Sequence, residues 1–446
     1  MLLVVLLLTT WTMEVVTTNT SKHCPTVAVD SLGNPYILVS YDTLLTLFTK
    51  INGNWVCDTI ETNLYEPNGF SYHPDLAIDC IGRLWCVYRI YDTKMYLIVA
   101  RQDGFGWVKD TVDSGINIDF KWKSIATDKK NRPHITYDKW VDIDILPFYA
   151  YKDTLSWHID TVVSTPPIFT LQYCCSIDCD SLDRPHIAWF YDSRLIHSYK
   201  ETNAWNHEIL DYPAEGMIWP TSICIKNTSP SIAYGNASTN YVKYAYYDNS
   251  LWNFDVVDTV DITELIGSPK ALDKDSSGIP LLLYRNIVAH KINNLWNKEI
   301  LPPLTPPLSK QYPGALRSGR HSTVHVSRLA TNSDETYKEI HYIYGTVVGI
   351  EESEWLEVEG EGLKLMVLPN VVRDYAQIQY AIPERQLIRL DLYDIIGRKV
   401  KTIAQGCVEP GIYSYRFVSS DLSSGVYFLV LESERESRTR KLLIAR

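Results

Sequence analysis

Methionine is scarce in this chain and long apolar runs are absent. Only 5 of 446 residues are Met, and the one extended hydrophobic stretch runs from Leu2 to Leu8. A bilayer span needs about 20 residues, so no transmembrane segment is expected. The stretch fits the apolar core of a signal peptide, and residues 1–10 are read as a remnant of one. A positive segment before it and a small-residue cleavage site after it are both missing. Positive charge is also in deficit: 42 Lys and Arg face 53 Asp and Glu, a formal net charge of -11. A phosphate backbone would be repelled on average, and no basic stripe with interleaved aromatics occurs, which argues against nucleic acid as a partner. Nine cysteines is an odd number, so at least one lies outside any intramolecular disulfide set. Cys174, Cys175 and Cys179 cluster without a second pair at zinc spacing. They read best as small core residues, with a disulfide or metal as the other reading, and no cofactor is expected. What is abundant is aromatic: 13 Trp and 30 Tyr. Such residues suit pleated, half-buried surfaces and lean the chain towards strands.

Self-similarity gives the fold class. Ser124-Ile-Ala-Thr-Asp128-Lys-Lys-Asn131-Arg132-Pro133-His134-Ile135 recurs as Ser176-Ile-Asp-Cys-Asp180-Ser-Leu-Asp183-Arg184-Pro185-His186-Ile187. Weaker copies centre on Asp30, Asp79 and Asp275, and eroded ones on Lys226 and Ser318. These anchors are separated by 49, 49, 52, 46, 49 and 43 residues. Each holds two apolar runs around a polar turn, a hairpin signature. A second motif runs out of phase: Trp55, Trp107, Trp157, Trp205, Trp252 and Trp296 each have an acid three positions on, from Asp58 to Glu299. Four strands per period of 40–50 residues predict an all-β chain, a seven-bladed β-propeller over residues 11–349. Trp11-Thr-Met-Glu14 carries the outer-strand pattern with no first half before it, and the unit near Ser318 lacks that outer strand. The chain start is therefore expected to complete the last blade; the competing assignment gives that role to Trp355. The acids three after each Trp are read as a repeated structural hydrogen bond.

After Ile350 the grammar changes. Residues 350–362 form an acidic linker, and 363–446 alternate as the strands of a compact β-sandwich. The pieces Leu368-Pro369-Asn370, Tyr380-x-x-Pro383, Leu392-Tyr393-Asp394-Ile395-Ile396-Gly397-Arg398, Gly411-x-Tyr413, Ser424-Gly425-Val426-Tyr427-Phe428 and Lys441-Leu442 come in a fixed order. Here the chain resembles the C-terminal sorting domain of type IX secretion cargo, itself similar to the immunoglobulin-like domain of flagellar hook-capping proteins. The family has a second proline where this chain has Val371. The resemblance implies a secreted or outer cell-surface protein of bacterial type, with export machinery as a partner of the C-terminal domain.

The repeats also resemble sialidase-like and polysaccharide-lyase-like propellers of bacterial surface proteins. An Asp box of the form Ser-x-Asp-x-Gly-x-Thr-Trp is absent, and so is an arginine cluster with a Tyr/Glu pair. His134 and His186 share a repeat position with Tyr36 and Trp85, which favours packing over a lyase-type acid or base. Asp273-Lys-Asp275 and Asp178-Cys-Asp180 have calcium-loop spacing but lack the distal Glu, which favours turn capping. His23, His73, Trp122, Tyr173, Trp219 and Tyr312 each precede a first strand by a similar interval. They are expected at one mouth of the central channel, as a ligand-binding ring or as packing between blades. No catalytic set is complete. The residues lean towards a binding protein for a glycan or surface protein, with an extracellular lyase or glycosidase as the alternative.

Overall fold

The computed structural model describes residues 11–444 apart from 19–24, 42, 65–73, 105, 117, 142–143, 164–172, 192, 203, 213–220, 227, 237–238, 261–269, 276–277, 293, 320–322, 347–362, 369–370, 373–374, 383, 410, 420–421 and 434–435. The chain divides into two compact units, Met1–Glu357 and Val358–Arg446. Both are all-β, with no helix among the described residues and none long and apolar enough to cross a membrane. The proposed signal-peptide remnant, the acidic run and Trp355 lie outside the described residues.

The first unit holds seven four-stranded antiparallel sheets among its described residues. Six follow the chain in order, over residues 26–61, 75–115, 118–161, 173–211, 222–259 and 272–300. The seventh takes three strands from residues 310–346 and its fourth from Thr12–Thr18. In that pairing Met13 lies opposite Ile343, Glu14 opposite Tyr342 and Val15 opposite His341. The first strand of each sheet neighbours the first strand of the next, and that of the seventh neighbours that of the first.

Recurrent chemistry builds each hairpin. The carboxylates of Asp30, Asp79, Asp128 and Asp180 accept amide hydrogens two and four residues on, at 2.8–3.2 Å. The residue three on turns left-handed: Gly33, Gly82, Asn131 and Asp183 all have φ between 62° and 89°. Only Gly and the short polar residues take that conformation cheaply, which is why the repeat keeps Gly, Asn or Asp there. Turn capping is thus the observed role of Asp180.

Apolar side chains fill the gaps between sheets in clusters that cross each junction. One joins Val16, Val27, Ile37, Val39, Ala315 and Tyr342, from the first and seventh sheets. Lys270, just ahead of the sixth sheet's first strand, is buried. Its ammonium donates to Ile125 O at 2.8 Å in the third sheet and lies 3.7 Å from Asp75 Oδ2 in the second. It therefore ties the start of the sixth sheet to the second and third.

The second unit packs a three-stranded sheet, built from Lys364–Leu368, Tyr375–Ile382 and Gly411–Val418, and a five-stranded sheet around one core. Asp394 caps its turn as in the first unit, accepting from Ile396 N and Arg398 N at 3.0 and 2.9 Å with Gly397 at φ 80°.

Candidate ligand-binding site

The Trp and acid repeat forms the junctions between sheets. Trp55 Nε1 donates to Glu14 Oε2 at 3.0 Å, Trp107 to Asp58 at 2.8 Å, Trp252 to Glu208 at 3.0 Å and Trp296 to Asp255 at 3.1 Å. In each case the acid belongs to the preceding sheet, and Glu14, on the chain's first strand, serves the first sheet's Trp55. A lysine five residues before the Trp, directly across from it in the hairpin, often joins in. Lys50 reaches Glu14 and Lys291 reaches Asp255, both at 2.6 Å, while Lys152 pairs with Asp110 and Lys200 with Asp160. These ammonium groups lie 4.7–5.9 Å from Trp or Tyr ring centres, within cation–π range.

Two junctions depart from this plan: Gln102 stands across from Trp107 between the first and second sheets, and the junction between the fourth and fifth sheets lacks the lysine as well. Across from Trp252 stands Tyr247 instead of a lysine. A cleft of about 160 Å³ opens there, with Tyr199, Tyr247, Trp252, Glu201, Glu208 and Arg184 on its walls. Tyr247 and Trp252 meet edge to face at 5.6 Å, and His186, His197 and Tyr199 stack with centres 5.1–5.5 Å apart.

Beneath the rings runs a polar chain. His197 Nδ1 lies 2.9 Å from Glu208 Oε2, His197 Nε2 lies 2.9 Å from His186 Nδ1, and His186 Nε2 lies 3.4 Å from Asp180 Oδ2. A carboxylate only accepts, so His197 carries its proton on Nδ1 and offers Nε2 as an acceptor; a neutral His186 has one N–H, and with it on Nδ1 towards His197 the 3.4 Å approach of its Nε2 to Asp180 is a contact without a shared proton. Burial, with His197 alongside, pushes the His186 pKa down to about 3, so this ring is neutral at pH 7. The His197 hydrogen bond holds Glu208 below its ordinary value despite burial. Burial would raise Asp180, but hydrogen bonds from Arg184 and Leu182 outweigh it and lower the pKa. Glu208 Oε1 accepts no hydrogen bond from the described residues.

The six ring candidates fall as follows. His23, His73 and Trp219 lie outside the described residues. Tyr173 opens the fourth sheet's first strand, Tyr173–Cys179, and its side chain is not described. Trp122 sits in a bulge between Phe120 and Lys123 of the third sheet and is 8% exposed. Tyr312 is half-buried in the seventh sheet, its hydroxyl donating to Glu335 Oε1 at 3.1 Å. His134 is buried between Asp128 Oδ2 at 3.1 Å and Tyr149 Oη at 2.7 Å. Among the described residues no group of three His, Cys, Asp or Glu side chains is placed to hold a metal ion. Cys57, Cys80, Cys86, Cys175, Cys179, Cys224 and Cys407 are free thiols. Sequence reasoning missed the cleft, although Tyr247 breaks the spacing that puts Lys five residues before Trp in four other repeats.

Residues 366–445 match the secretion system C-terminal sorting domain. This domain indicates secretion and attachment at the outer cell surface. No curated protein matches the chain. Solved structures similar to it include polysaccharide lyase Uly1, at 9% identity over 73% of this chain and 90% of that one, with a TM-score of 0.49. A lectin of Aleuria aurantia is 12% identical over 65% of this chain and 99% of its own, with a TM-score of 0.45. An α-L-arabinanase of Penicillium chrysogenum is 9% identical over 75% and 98%, also at 0.45. Likenesses at these scores assign neither ligand nor reaction to this chain.

Proposed function

We propose that the protein is a secreted, surface-displayed binding protein whose first unit is a closed seven-bladed β-propeller, with a glycan or a protein surface as ligand. The ring reading is supported by the cyclic order of first strands and by Glu14 serving Trp55 as other acids serve theirs. The observation that carries the function is the cleft between the fourth and fifth sheets. It offers ring faces and edges together with a few fixed polar groups, the mix that orients a sugar or a side chain. Its imidazoles, by contrast, are buried and committed to partners. Catalysis of glycan cleavage asks for two titratable groups with separated pKa values reaching one ligand. A carbohydrate-active enzyme remains the second reading, because Glu208 and His197 already form one hydrogen-bonded pair on the cleft wall.

The test is a glycan array and a cell-surface protein capture with the purified full chain, followed by a product assay on every ligand found. Retention without turnover, weakened by Trp252→Ala, is the expected result. Turnover that depends on Glu208 would replace this reading with the enzymatic one.

A further inference from the structure

At four junctions the protein binds ammonium groups of its own. Lys50, Lys152, Lys200 and Lys291 each cross to an acid of the preceding sheet, with aromatic rings alongside. Each time the lysine stands directly across the hairpin from the repeat Trp, and at Trp55 and Trp296 the indole shares the same acid. Between the fourth and fifth sheets the acid Glu208, the tyrosine Tyr199 and the indole Trp252 are all present. The lysine is not; Tyr247 has its place, and a solvent-open cleft of about 160 Å³ lies where the ammonium would be.

We propose that this cleft captures a lysine side chain of a partner protein, its ammonium on Glu208 and its stem across Tyr199 and Trp252. The proposal rests on the reading of the chain as a binding protein and names the chemistry of its ligand. Three features favour this group. Glu208 has one oxygen committed, to Trp252 and His197, and the other open. A single open oxygen suits the compact ammonium better than the planar two-pronged guanidinium. The wall around it carries Glu201 as a second carboxylate, and Arg184 is held by Asp180 and Glu201 at 2.7 Å each. Finally, the four internal examples deliver the charge on a flexible apolar stem lying beside rings, which an amine fixed to a sugar ring cannot imitate.

The experiment titrates the full chain with Nα-acetyl-lysine methylamide, alongside its Nε-acetylated form and glucosamine, by calorimetry and tryptophan fluorescence. Wild type should bind the free amine saturably and the acetylated form about tenfold more weakly or worse, as loss of a charge-assisted hydrogen bond implies. Glu208→Gln, which keeps the size and the Trp252 contact, should show the same loss. Tyr247→Lys should lose binding while keeping its melting temperature, since it supplies internally the group found at four other junctions. Equal binding of the acetylated form, or undiminished binding by a folded Tyr247→Lys, would overturn the proposal. So would Glu208-dependent binding of glucosamine without binding of the lysine compound. If Tyr247→Lys does not fold, Glu208→Gln decides alone. Turnover of an array ligand would defeat the binding-protein reading and leave the titration intact. A failed titration beside a confirmed, unprocessed array ligand would defeat only the lysine assignment.

Discussion

Replacing Glu14 with alanine should destabilise the first unit by about 2 kcal/mol, although the residue lies near the chain start and about a quarter of its side chain is exposed. The magnitude comes from two contacts. Trp55 Nε1 donates to Glu14 at 3.0 Å, and a hydrogen bond to a charged acceptor contributes about 1.5–3 kcal/mol. The Lys50 pair at 2.6 Å, each side chain about a quarter exposed, adds at most about 1 kcal/mol, because the ammonium can turn back to water. Asp58→Ala removes only the Trp107 bond, from an exposed acid, and should cost about half as much. Thermal unfolding at fixed pH resolves the difference: a loss of about 2 kcal/mol lowers the melting temperature of a unit this size by roughly 3 °C. A double-mutant cycle with Lys50→Met should return a coupling of about 0.5–1 kcal/mol. If Glu14→Ala falls within about 0.5 kcal/mol of wild type, as a surface substitution would, the first strand does not latch the first sheet and the argument fails.

Trp122→Ala should cost about 3–5 kcal/mol, as truncation of a buried indole does, and leave ligand binding per folded molecule unchanged; weakened binding with intact stability would restore a mouth-ring site. Gly314→Ala would place a methyl 2.3 Å from Pro25 O and 2.7 Å from Ser327 O, so about 1–3 kcal/mol of overpacking strain should appear as a lowered melting temperature. His186 has a folded pKa of about 3 against an ordinary 6.5, so the unfolded state takes up the proton first. The stability this ring contributes is complete above pH 6.5 and falls as pH drops towards 3; in His186→Tyr the acid limb of a stability-against-pH curve should be flatter. Chains lacking residues 363–446 should keep a folded first unit and stay inside the cell, as fractionation and circular dichroism would show; an unfolded product would mean that the second unit supports the first.

The parts that were legible in the sequence are those enforced locally. An Asp with Gly, Asn or Asp three residues on has few options besides a capped tight turn, so the hairpins around Asp30, Asp79, Asp128 and Asp180 stand out unaided. The Trp and acid spacing was equally plain, and the expected hydrogen bond forms at Trp55, Trp107, Trp252 and Trp296; Trp157 and Trp205 Nε1 are buried without a partner among the described residues, where Lys152 and Lys200 take Asp110 and Asp160. Cross-strand register was hidden. The contact of His186 with His197 joins residues eleven apart whose facing depends on where the hairpin turns. Trp122 was projected from a straight strand, whereas a bulge after Phe120 re-aims it into the interior. In the second unit, Lys399–Val408 escaped notice because its residues are largely exposed and polar, as suits an edge strand guarded by lysines.

The pairing of Thr12–Thr18 with Lys338–Thr346 also sets an order of events. Thr12–Thr18 has no sheet partner until the chain has grown by more than three hundred residues, because it pairs with Lys338–Thr346. Sheets one to six can form as they emerge from the ribosome, each from neighbouring residues. The first segment must wait as an unpaired strand throughout. The seventh sheet therefore cannot be completed until residues 338–346 have been made, whatever the other six have already done.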